Sequence, residues 1–433
     1  MAIPQPAPTD GDTKWFVHDR FGLFIHWGLY ALPARHEWIR SMDRISTEAY
    51  SKYFKRFDPD LYDPVVWAHH AANCGMKYFV VTTKHHDGFC LWDSQLTDYK
   101  APNTPAGRDL LRPMVDAFRG EGLKVGFYHS LLDWHHPDYT VDMHHPMRGD
   151  AAYVAADADR KLERYTEYLH GQTRELMSQF GKVDILWYDF SVRAENGFIG
   201  KGKDVWQSEK LIKSIRELQP HIILNDRLEI DQDVKTPEQF QPSEWVKVGG
   251  QPVVWEACQT FSGSWGYYRD EESWKSVDML VKMLIDSVSK GGNLLLNVGP
   301  TGRGEFDERA LDRLAGIGEW MKRHSRSIYG CTQAPGEFPC PEDCRYTYNP
   351  ETNRLYLHVF SWPFRHLHID GIGDRIEYAQ LLNDASEVKL LQNVAEASYG
   401  AGVEMENRNT ITLELPIKKP ANAIVPVIEI FLK

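Results

Sequence analysis

The stretch Asp184-Ile185-Leu186-Trp187-Tyr188-Asp189-Phe190 decides the fold prediction, because it reads as a short buried strand that ends in a carboxylate. Ile185 and Leu186 are typical of a packed strand, while Asp189 falls where the strand runs out into a loop. An acidic side chain at the carboxyl end of a parallel barrel strand has little packing value and much chemical value. A helix cap or a salt-bridged rim residue would explain one such segment equally well. Further segments of the same design favour a functional site.

Short apolar segments of this kind alternate with helical segments through the first three quarters of the chain. Seven strands are predicted, at Phe21–Trp27, Tyr78–Lys84, Lys124–Tyr128, Asp184–Tyr188, Ile222–Asn225, Val253–Ala257 and Leu294–Val298. Amphipathic helices are predicted between them, at Pro64–Asn73, Leu110–Glu121, Leu162–Phe180, Glu209–Leu218 and Val277–Ser289. Four glycines mark expected helix ends, namely Gly75, Gly122, Gly181 and Gly291. This alternation favours parallel βα units.

Seven strands fit a (β/α)8-like TIM barrel in which one strand is weak or irregular. The alternative is a doubly wound parallel sheet. Polar and aromatic residues end nearly every predicted strand, as the mouth of a barrel requires. The glycine-rich phosphate loop that is typical of doubly wound folds is missing from the sequence. We therefore predict an α/β chain with a barrel.

The pattern changes after about Ser327, where short strands follow one another without a convincing helix between them. The predicted strands are Arg345–Tyr348, Arg354–Phe360, Ile376–Leu381, Val388–Leu391 and Thr410–Leu413, and Gly400-Ala401-Gly402 is among the predicted turns. This pattern predicts a C-terminal antiparallel β-sandwich. The expected domains are residues 1–330 for the catalytic barrel and 331–433 for the sandwich.

The bulk composition narrows the class of partner. The chain has 433 residues and a net charge of -12, which repels phosphate backbones and anionic lipid, so we expect neither nucleic acid nor a membrane as a partner. Fourteen Trp and 20 Tyr supply flat faces that suit the C–H faces of sugars, although an aromatic core would use them equally. A homo-oligomer is left open.

The sequence contains neither a signal peptide's apolar segment nor an apolar run approaching 18 residues. We therefore expect a cytoplasmic protein, and leave open a secreted one whose signal was removed. Cys74, Cys90 and Cys258 are predicted to be buried thiols. Cys331, Cys340 and Cys344 cluster without a histidine pattern, which makes a poor zinc motif and leaves a local disulfide or free thiols open.

Functional side chains follow the carboxyl ends of consecutive predicted strands. The side chains delivered in this way are His26, His85, His86, Tyr128, His129, Trp187, Asp189 and Arg227, and Glu37 and Trp38 follow the first strand. A single histidine after a strand is more often a hydrogen-bonded rim residue than a functional one. Four consecutive strands with such ends are hard to explain by chance, and they predict one convergent site.

Two kinds of site use these residue types. His26, His85, His86 and Asp189 are suitable zinc ligands, although adjacent histidines on an extended chain point apart. Alternatively, His, Tyr and Arg bind sugar hydroxyls, Trp covers an apolar sugar face, and two carboxylates perform hydrolysis. The second interpretation gives the aromatic residues a role, needs no metal or other cofactor, and is preferred.

A glycosidase of this kind needs a second carboxylate besides Asp189. Glu238 lies on a loop broken by Pro237, and we expect that loop to be mobile enough to place a proton donor above a sugar. Glu256 follows an apolar run, where a buried structural carboxylate is the better interpretation. Glu244 is the remaining candidate. We also expect the acid's surroundings to be drier than those of Asp189, because the acid must keep its proton.

The sequence contains the motifs Phe21-Gly22-Leu23-Phe24-Ile25-His26-Trp27-Gly28, Glu37-Trp38, Lys84-His85-His86-Asp87-Gly88-Phe89, Trp187-Tyr188-Asp189, Asn225-Asp226-Arg227, Ser264-Trp265-Gly266-Tyr267 and the segment from Gly291 to Pro300. In these motifs it resembles a known family, glycoside hydrolase family 29, the retaining α-L-fucosidases. The resemblance spans roughly residues 15–330. It implies a barrel followed by a β-sandwich, removal of terminal α-L-fucose from oligosaccharides or glycoconjugates, and no cofactor.

The resemblance also implies roles for individual residues. Asp189 is expected to be the nucleophile and Glu238 the acid/base. Glu256 and Glu244 are the second and third candidates for the acid/base. The expected fucose pocket consists of His26, Glu37, His85, His86, Tyr128, Trp187 and Arg227, with Trp38 and Trp265 near the C5-methyl face. The choice of linkage is expected to depend on the loops Arg35–Ser41, His135–Pro146 and Glu195–Trp206. A catalytically inactive fucose-binding protein is the main alternative, and a metal-dependent hydrolase ranks third.

Overall fold

The computed structural model describes residues 3–392, 409–421 and 423–433. Within these residues the α-helices are α1 Lys14–Asp19, α2 Ile39–Met42, α3 Thr47–Phe54, α4 Pro64–Asn73, α5 Leu111–Gly120, α6 Ala151–Ala155, α7 Leu162–Gln179, α8 Lys203–Trp206, α9 Ser208–Leu218, α10 Val277–Ser289 and α11 Glu308–His324. The strands are β1 Phe21–Ile25, β2 Tyr78–Lys84, β3 Lys124–Ser130, β4 Ile185–Asp189, β5 Ile223–Leu224, β6 Lys247–Val248, β7 Gln251–Pro252, β8 Glu256–Thr260, β9 Asn293–Val298, β10 Cys344–Asn349, β11 Arg354–Val359, β12 His366–Ile369, β13 Ile376–Leu381, β14 Lys389–Leu391, β15 Ile411–Glu414 and β16 Val427–Leu432.

Seven parallel strands form the central sheet, in the order β5-β4-β3-β2-β1-β9-β8. The register of β3 with β4 places Ser130 beside Asp189, and that of β1 with β9 places Phe24 beside Asn297. The strands are buried along most of their length because helices cover the outer face of the sheet. All seven predicted strands are present, with shifts of up to three residues at their ends.

The segment 234–238 joins the two edges of this sheet. Val234 forms a parallel bridge with Asn225 after β5, whereas Lys235 and Glu238 form parallel bridges with Trp255 and Cys258 on the β8 side. The segment is therefore an irregular eighth strand that closes a barrel. The predicted barrel with one irregular strand is confirmed, and the doubly wound alternative is wrong because an open sheet would leave these edges unpaired.

The predicted helix boundaries have local physical causes. At the start of α4, Asp63 accepts a hydrogen bond from the backbone N–H of Val65 at 2.9 Å, and Pro64 occupies the first helical turn. After that helix, Gly75 takes a φ of +88°, a conformation that is costly for a side chain with a Cβ. The other three predicted stops, Gly122, Gly181 and Gly291, also have positive φ. The helix-end predictions are thus confirmed.

The C-terminal part contains two antiparallel sheets, in the orders β10-β11-β16-β13 and β12-β15-β14. A second apolar core lies between them, with Leu355, Leu357, Ile411, Leu413 and Ile430 among its buried members. The five predicted strands are present. Strands β12 and β16 were not predicted, and the predicted turn at Gly400–Gly402 lies outside the described residues. An α/β barrel followed by an antiparallel sandwich is therefore the observed fold class, and the domain boundary at residue 330 stays a prediction.

Two further expectations concern helices and thiols. Across the described ranges, the helices are all too short or too polar to cross a bilayer. Cys74, Cys90 and Cys258 are buried thiols, as predicted, and burial raises the pKa of Cys90 to about 12. Cys331 and Cys344 are buried and Cys340 is exposed, and all three are unpaired thiols in this structure.

Candidate active site

A pocket opens at the carboxyl ends of the barrel strands. The residues that line it are Phe24, His26, Trp38, His85, His86, Tyr128, Trp187, Asp189, Phe190, Glu238, Cys258 and Trp265. Nine of these were predicted from the sequence, so the structure brings most of the expected set into one cavity.

Asp189 is the last residue of β4, and both of its carboxylate oxygens have partners. Oδ1 lies 3.1 Å from Nη1 of Arg227, and Oδ2 accepts a hydrogen bond from the hydroxyl of Tyr128 at 2.8 Å. Nε2 of His86 lies 3.8 Å from Oδ2, which is beyond hydrogen-bond distance. Phe190 follows with a φ of +75°, a left-handed conformation that is strained for a bulky residue. The carboxylate is thus held in one orientation at the pocket wall.

The surroundings of Asp189 act on its pKa in opposite directions. Burial raises the pKa to about 6, since a carboxylate loses its hydration there, and the nearby Glu238 adds to the rise. Arg227 opposes that rise, as does the hydrogen bond from Tyr128. The side chain is 13% exposed, so the pocket still gives it contact with solvent or a ligand. Asp189 therefore carries its negative charge at neutral pH.

The three histidines of the pocket are neutral. Burial lowers the pKa of His26 to about 4, and it lowers the pKa values of His85 and His86 well below the usual range. As neutral groups they add no positive charge beside Asp189, so Arg227 is the cation that favours its ionised form. Nδ1 of His85 and Nε1 of Trp187 are buried atoms without a partner, and both side chains line the pocket. Unpaired polar atoms of this kind suit a ligand rich in hydroxyl groups.

Glu238 faces Asp189 across a shared guanidinium. Nη2 of Arg227 donates to Oε2 of Glu238 at 2.9 Å, while Nη1 binds Asp189. Arg227 is itself fixed by Thr236, through hydrogen bonds of 3.1 Å to the hydroxyl and to the backbone carbonyl. The two carboxylates therefore lie on neighbouring nitrogens of one planar group, on one side of the pocket.

Two expectations about Glu238 need correction. It does not lie on a free loop, since the residue is paired with Cys258 in the irregular eighth strand. Its surroundings are also not drier than those of Asp189, because the Glu238 side chain is 42% exposed and that of Asp189 is 13% exposed. The pocket is open on the side of Glu238, so a bound sugar would itself have to exclude water from this carboxyl group.

The structure places the other two candidate glutamates outside the pocket. Glu256 is buried at the start of β8, two residues before the pocket residue Cys258, and its carboxyl group is hydrogen-bonded to the hydroxyl of Tyr78. Burial raises the pKa of Glu256 to about 8, which would suit an acid, but the residue does not line the pocket and its carboxyl group is bonded to Tyr78. Glu244 is exposed and paired with Lys247 at 2.7 Å. The positions of Glu256 and Glu244 therefore favour neither as the acid/base, and the choice of Glu238 stays a prediction.

Glu37 and the two predicted tryptophans occupy different places around the pocket. Glu37 is buried but does not line the cavity, because its Oε2 accepts the backbone N–H of Gly266 at 2.7 Å and so holds the following loop. Trp265, in that loop, lies beside His26 with ring centres 5.2 Å apart. Trp38 lies beside His86, at 4.9 Å. His26, His85 and His86 form a row of neighbouring rings, and the two tryptophans lie at its opposite ends. Their contact with the C5-methyl face stays a prediction.

Three pocket residues were missed in the sequence, namely Phe24, Phe190 and Cys258. Phe24 precedes His26 by two positions on β1, and side chains two apart in a strand face the same side. Cys258 on β8 lies next to Glu238. Counting back by two from His26 would have found Phe24, whereas Cys258 depends on the irregular pairing.

The loops at the pocket mouth are tied to one another. The hydroxyl of Ser41 donates to the backbone carbonyl of His144 at 2.6 Å. Nζ of Lys201 lies 3.0 Å from Oδ2 of Asp142, and both side chains are almost fully buried, with the ring of Tyr139 4.4 Å from the ammonium group. Three loops are expected to govern linkage, namely Arg35–Ser41, His135–Pro146 and Glu195–Trp206. These contacts join them into one connected rim. Their effect on linkage stays a prediction.

We expect Lys201→Met to lower the free energy of unfolding by about 3–5 kcal/mol, because Asp142 would remain buried without its cation. Urea denaturation measures this loss. Lys247→Met is the matched control, since its pair with Glu244 is exposed and such pairs contribute about 0–1 kcal/mol. Equal losses in the two variants would show that the buried pair does not hold the rim.

Metal ligation was the rejected alternative for these histidines. In the ranges that the structure describes, His, Cys, Asp and Glu side chains form no group of three or more that is arranged to hold a metal ion. In addition, Nδ1 of His26 and Nδ1 of His86 already have protein partners, Asn297 and Ser130.

Comparison with known proteins gives the family. A family profile described as "Alpha-L-fucosidase" matches residues 7–326. An α-L-fucosidase of Dictyostelium discoideum is 27% identical over 94% of this chain and 89% of its own length. The human plasma α-L-fucosidase is 27% identical over 93% of this chain and 85% of its own length.

Solved structures agree with these relatives. The α-L-fucosidase isoenzyme 1 of Paenibacillus thiaminolyticus is 44% identical, superposes with a TM-score of 0.89, and covers 98% of this chain and 99% of its own. A family 29 α-L-fucosidase of Bacteroides thetaiotaomicron, trapped as a covalent intermediate, is 27% identical with a TM-score of 0.82, over 100% of this chain and 98% of its own. The chain therefore belongs to the α-L-fucosidases of glycoside hydrolase family 29, retaining enzymes that hydrolyse terminal α-L-fucosyl residues.

Proposed function

We propose that Asp189 is the nucleophile and Glu238 the acid/base of a double displacement on terminal α-L-fucosides. One observation carries this assignment: Arg227 binds both carboxylates, at 3.1 Å and 2.9 Å, and both carboxylates line the pocket. Retaining glycosidases hold their two carboxyl groups about 5–5.5 Å apart, and a shared guanidinium favours such a spacing.

In the first step, an oxygen of Asp189 attacks the anomeric carbon and the bond to the leaving oxygen breaks. Glu238 donates its proton to that oxygen, so the aglycone departs as an alcohol. In the second step Glu238 takes a proton from water, which attacks the same carbon and releases Asp189. Each displacement inverts the anomeric centre, and two inversions give retention. Tyr128 and Arg227 hold the carboxylate of Asp189 in the orientation that the attack needs.

The lining of the pocket suits a sugar residue at the end of a chain. Neutral imidazoles and an indole N–H in its wall suit sugar hydroxyls. The substrate proposed here is a fucosylated oligosaccharide or glycoconjugate. The net charge of -12 favours neither nucleic acid nor anionic membrane as a partner. The relatives are enzymes, so the alternative of an inactive fucose-binding protein has no support from them.

The experiment that tests this function is hydrolysis of an aryl α-L-fucoside followed by proton NMR. We expect α-L-fucose to form first and the β-anomer to appear afterwards by mutarotation. The same reaction in the presence of methanol should give methyl α-L-fucoside. Initial release of β-L-fucose would show a single displacement and would contradict the proposed roles of both carboxylates.

The pH dependence follows from the raised pKa of Asp189. The nucleophile must be ionised, so kcat/KM should rise with pH through about 6, the pKa that burial gives Asp189 in the free enzyme. With a fucoside whose leaving group needs no acid, Glu238→Ala should keep this acid limb, because Asp189 must still be ionised. A kcat/KM that falls as the pH rises through about 6 in this variant would contradict the role of Asp189.

A further inference from the structure

The tautomer of His26 is determined by Asn297, which lies on β9. Nδ1 of His26 is 2.7 Å from Oδ1 of Asn297, and Nδ2 of Asn297 donates to the backbone carbonyl of Trp265 at 2.6 Å. A carbonyl cannot donate, so the amide must turn its NH2 group towards Trp265 and its oxygen towards His26. The hydrogen of the short contact must therefore come from Nδ1 of His26.

The tautomer of His86 is determined in the same way by Ser130, at the end of β3. Nδ1 of His86 is 2.6 Å from Oγ of Ser130, and that hydroxyl donates its one hydrogen to the backbone carbonyl of Leu132 at 2.9 Å. The N–H of Leu132 donates to the same Oγ at 3.0 Å. If Nδ1 of His86 were bare, the hydroxyl would have to turn to it and leave the Leu132 carbonyl buried without a donor.

One contact favours the opposite tautomer of His86. An Nε2–H would point towards Oδ2 of Asp189, and such a charge-assisted contact is attractive. The separation of 3.8 Å is too long for a hydrogen bond, whereas the contact with Ser130 is 2.6 Å. The Nδ1–H tautomer of His86 is therefore favoured. A second proton on either ring is opposed by burial, which keeps both imidazoles neutral.

We propose that Asn297 and Ser130 are positioning residues that fix His26 and His86 as Nδ1–H tautomers, so that each imidazole presents a bare Nε2 to the sugar and accepts a hydrogen bond from a sugar hydroxyl. The recognition step rests on the proposed function, because it takes the pocket to hold fucose. The tautomers themselves do not, since they follow from contacts within the protein.

Two consequences distinguish this arrangement from a merely polar pocket. Neither His26 nor His86 has a proton to give to the departing oxygen, which removes both from the candidates for the acid. A hydroxyl at these two positions must donate, and a site built around such a contact rejects a sugar that lacks the hydroxyl.

The direct test is nitrogen-15 NMR of the free protein with labelled histidine. The two ring nitrogens of a neutral histidine have well-separated shifts that identify the protonated one. The chain contains 18 His, and His26→Gln and His86→Gln each remove one signal pair and so assign it. Internal references exist for both tautomers. Nδ1 of His324 must donate to the Trp320 carbonyl at 2.9 Å, and Nε2 of His170 must donate to the Trp206 carbonyl at 2.8 Å.

We expect His26 and His86 to show the pattern of His324. Ser130→Ala should spread His86 over both tautomers, leave His26 unchanged and raise KM roughly three- to tenfold, the effect of one lost hydrogen bond. Ser130→Thr keeps the hydroxyl and should restore both the single tautomer of His86 and the wild-type KM. Should Asn297→Leu fold, it should change His26 and leave His86 unchanged.

An Nε2–H pattern for His26 or His86 in the wild-type protein would overturn the proposal, whether or not any variant folds. A change in KM in Ser130→Ala without a change in the His86 spectrum would also overturn it, because the effect would then be structural. If the spectra are as expected but the protein does not hydrolyse fucosides, the proposed function is contradicted and the tautomer assignment is not.

Discussion

Asp189→Ala should lower kcat for an aryl α-L-fucoside by about 10⁴-fold or more, the scale seen when a covalent nucleophile is removed. The loss is large because Asp189 forms the covalent bond of the first step, and Glu238, the other carboxylate among the lining residues, is assigned to proton transfer. Steady-state kinetics at pH 7 measures the change.

The fold should survive this substitution, since the Asp189 side chain contributes to the pocket wall and not to the apolar core. Circular dichroism and the thermal midpoint are the controls. Added azide should partly restore turnover by occupying the space of the missing carboxylate. A single displacement inverts the centre, so the product should be the β-fucosyl azide. Near wild-type turnover in Asp189→Ala, or an α-azide product, would remove Asp189 from the mechanism.

Glu238→Ala should lower kcat/KM by about 10²–10⁴-fold on substrates with poor leaving groups, the usual contribution of a positioned acid. The loss should be much smaller for a fucoside with a good leaving group, because such a group departs without a proton. With that substrate the second step becomes limiting, and azide should accelerate it. Two displacements then occur, so the product should be the α-fucosyl azide.

Glu256→Gln is the matched control for Glu238. Glu256 is buried beside Tyr78 below the pocket floor, and a glutamine keeps the size and a hydrogen bond there. This variant should keep the leaving-group dependence of the wild type and should not respond to azide. If Glu256→Gln responds to azide and Glu238→Ala does not, the assignment of the acid is wrong.

The strand ends could be predicted because each one is a local pattern. A run such as Ile185-Leu186-Trp187 followed by Asp189 shows both the buried strand and the place where it ends, and a parallel barrel brings all such ends to one face. The same reasoning found His26, His85 and Tyr128. None of these predictions needs knowledge of which strand pairs with which.

The missed features depend on long-range pairing. The segment from Val234 to Glu238 has no strand-like alternation and contains Pro237, so its sequence predicts a loop. Only its bridges to Asn225, Trp255 and Cys258 make it a strand. Asn297 meets His26 across 271 positions of sequence. The exposure of Glu238 could not be predicted either, because it depends on the shape of the pocket mouth.

The most direct test of the central claim is to identify the residue that becomes fucosylated. Glu238→Ala protein incubated with α-L-fucosyl fluoride forms the covalent species without needing an acid, and the missing base slows its breakdown. Intact-mass measurement should show one added fucosyl group, and fragmentation of the digested protein should place it on Asp189. A group attached to any other residue, or no covalent species while fluoride is released, would contradict the account.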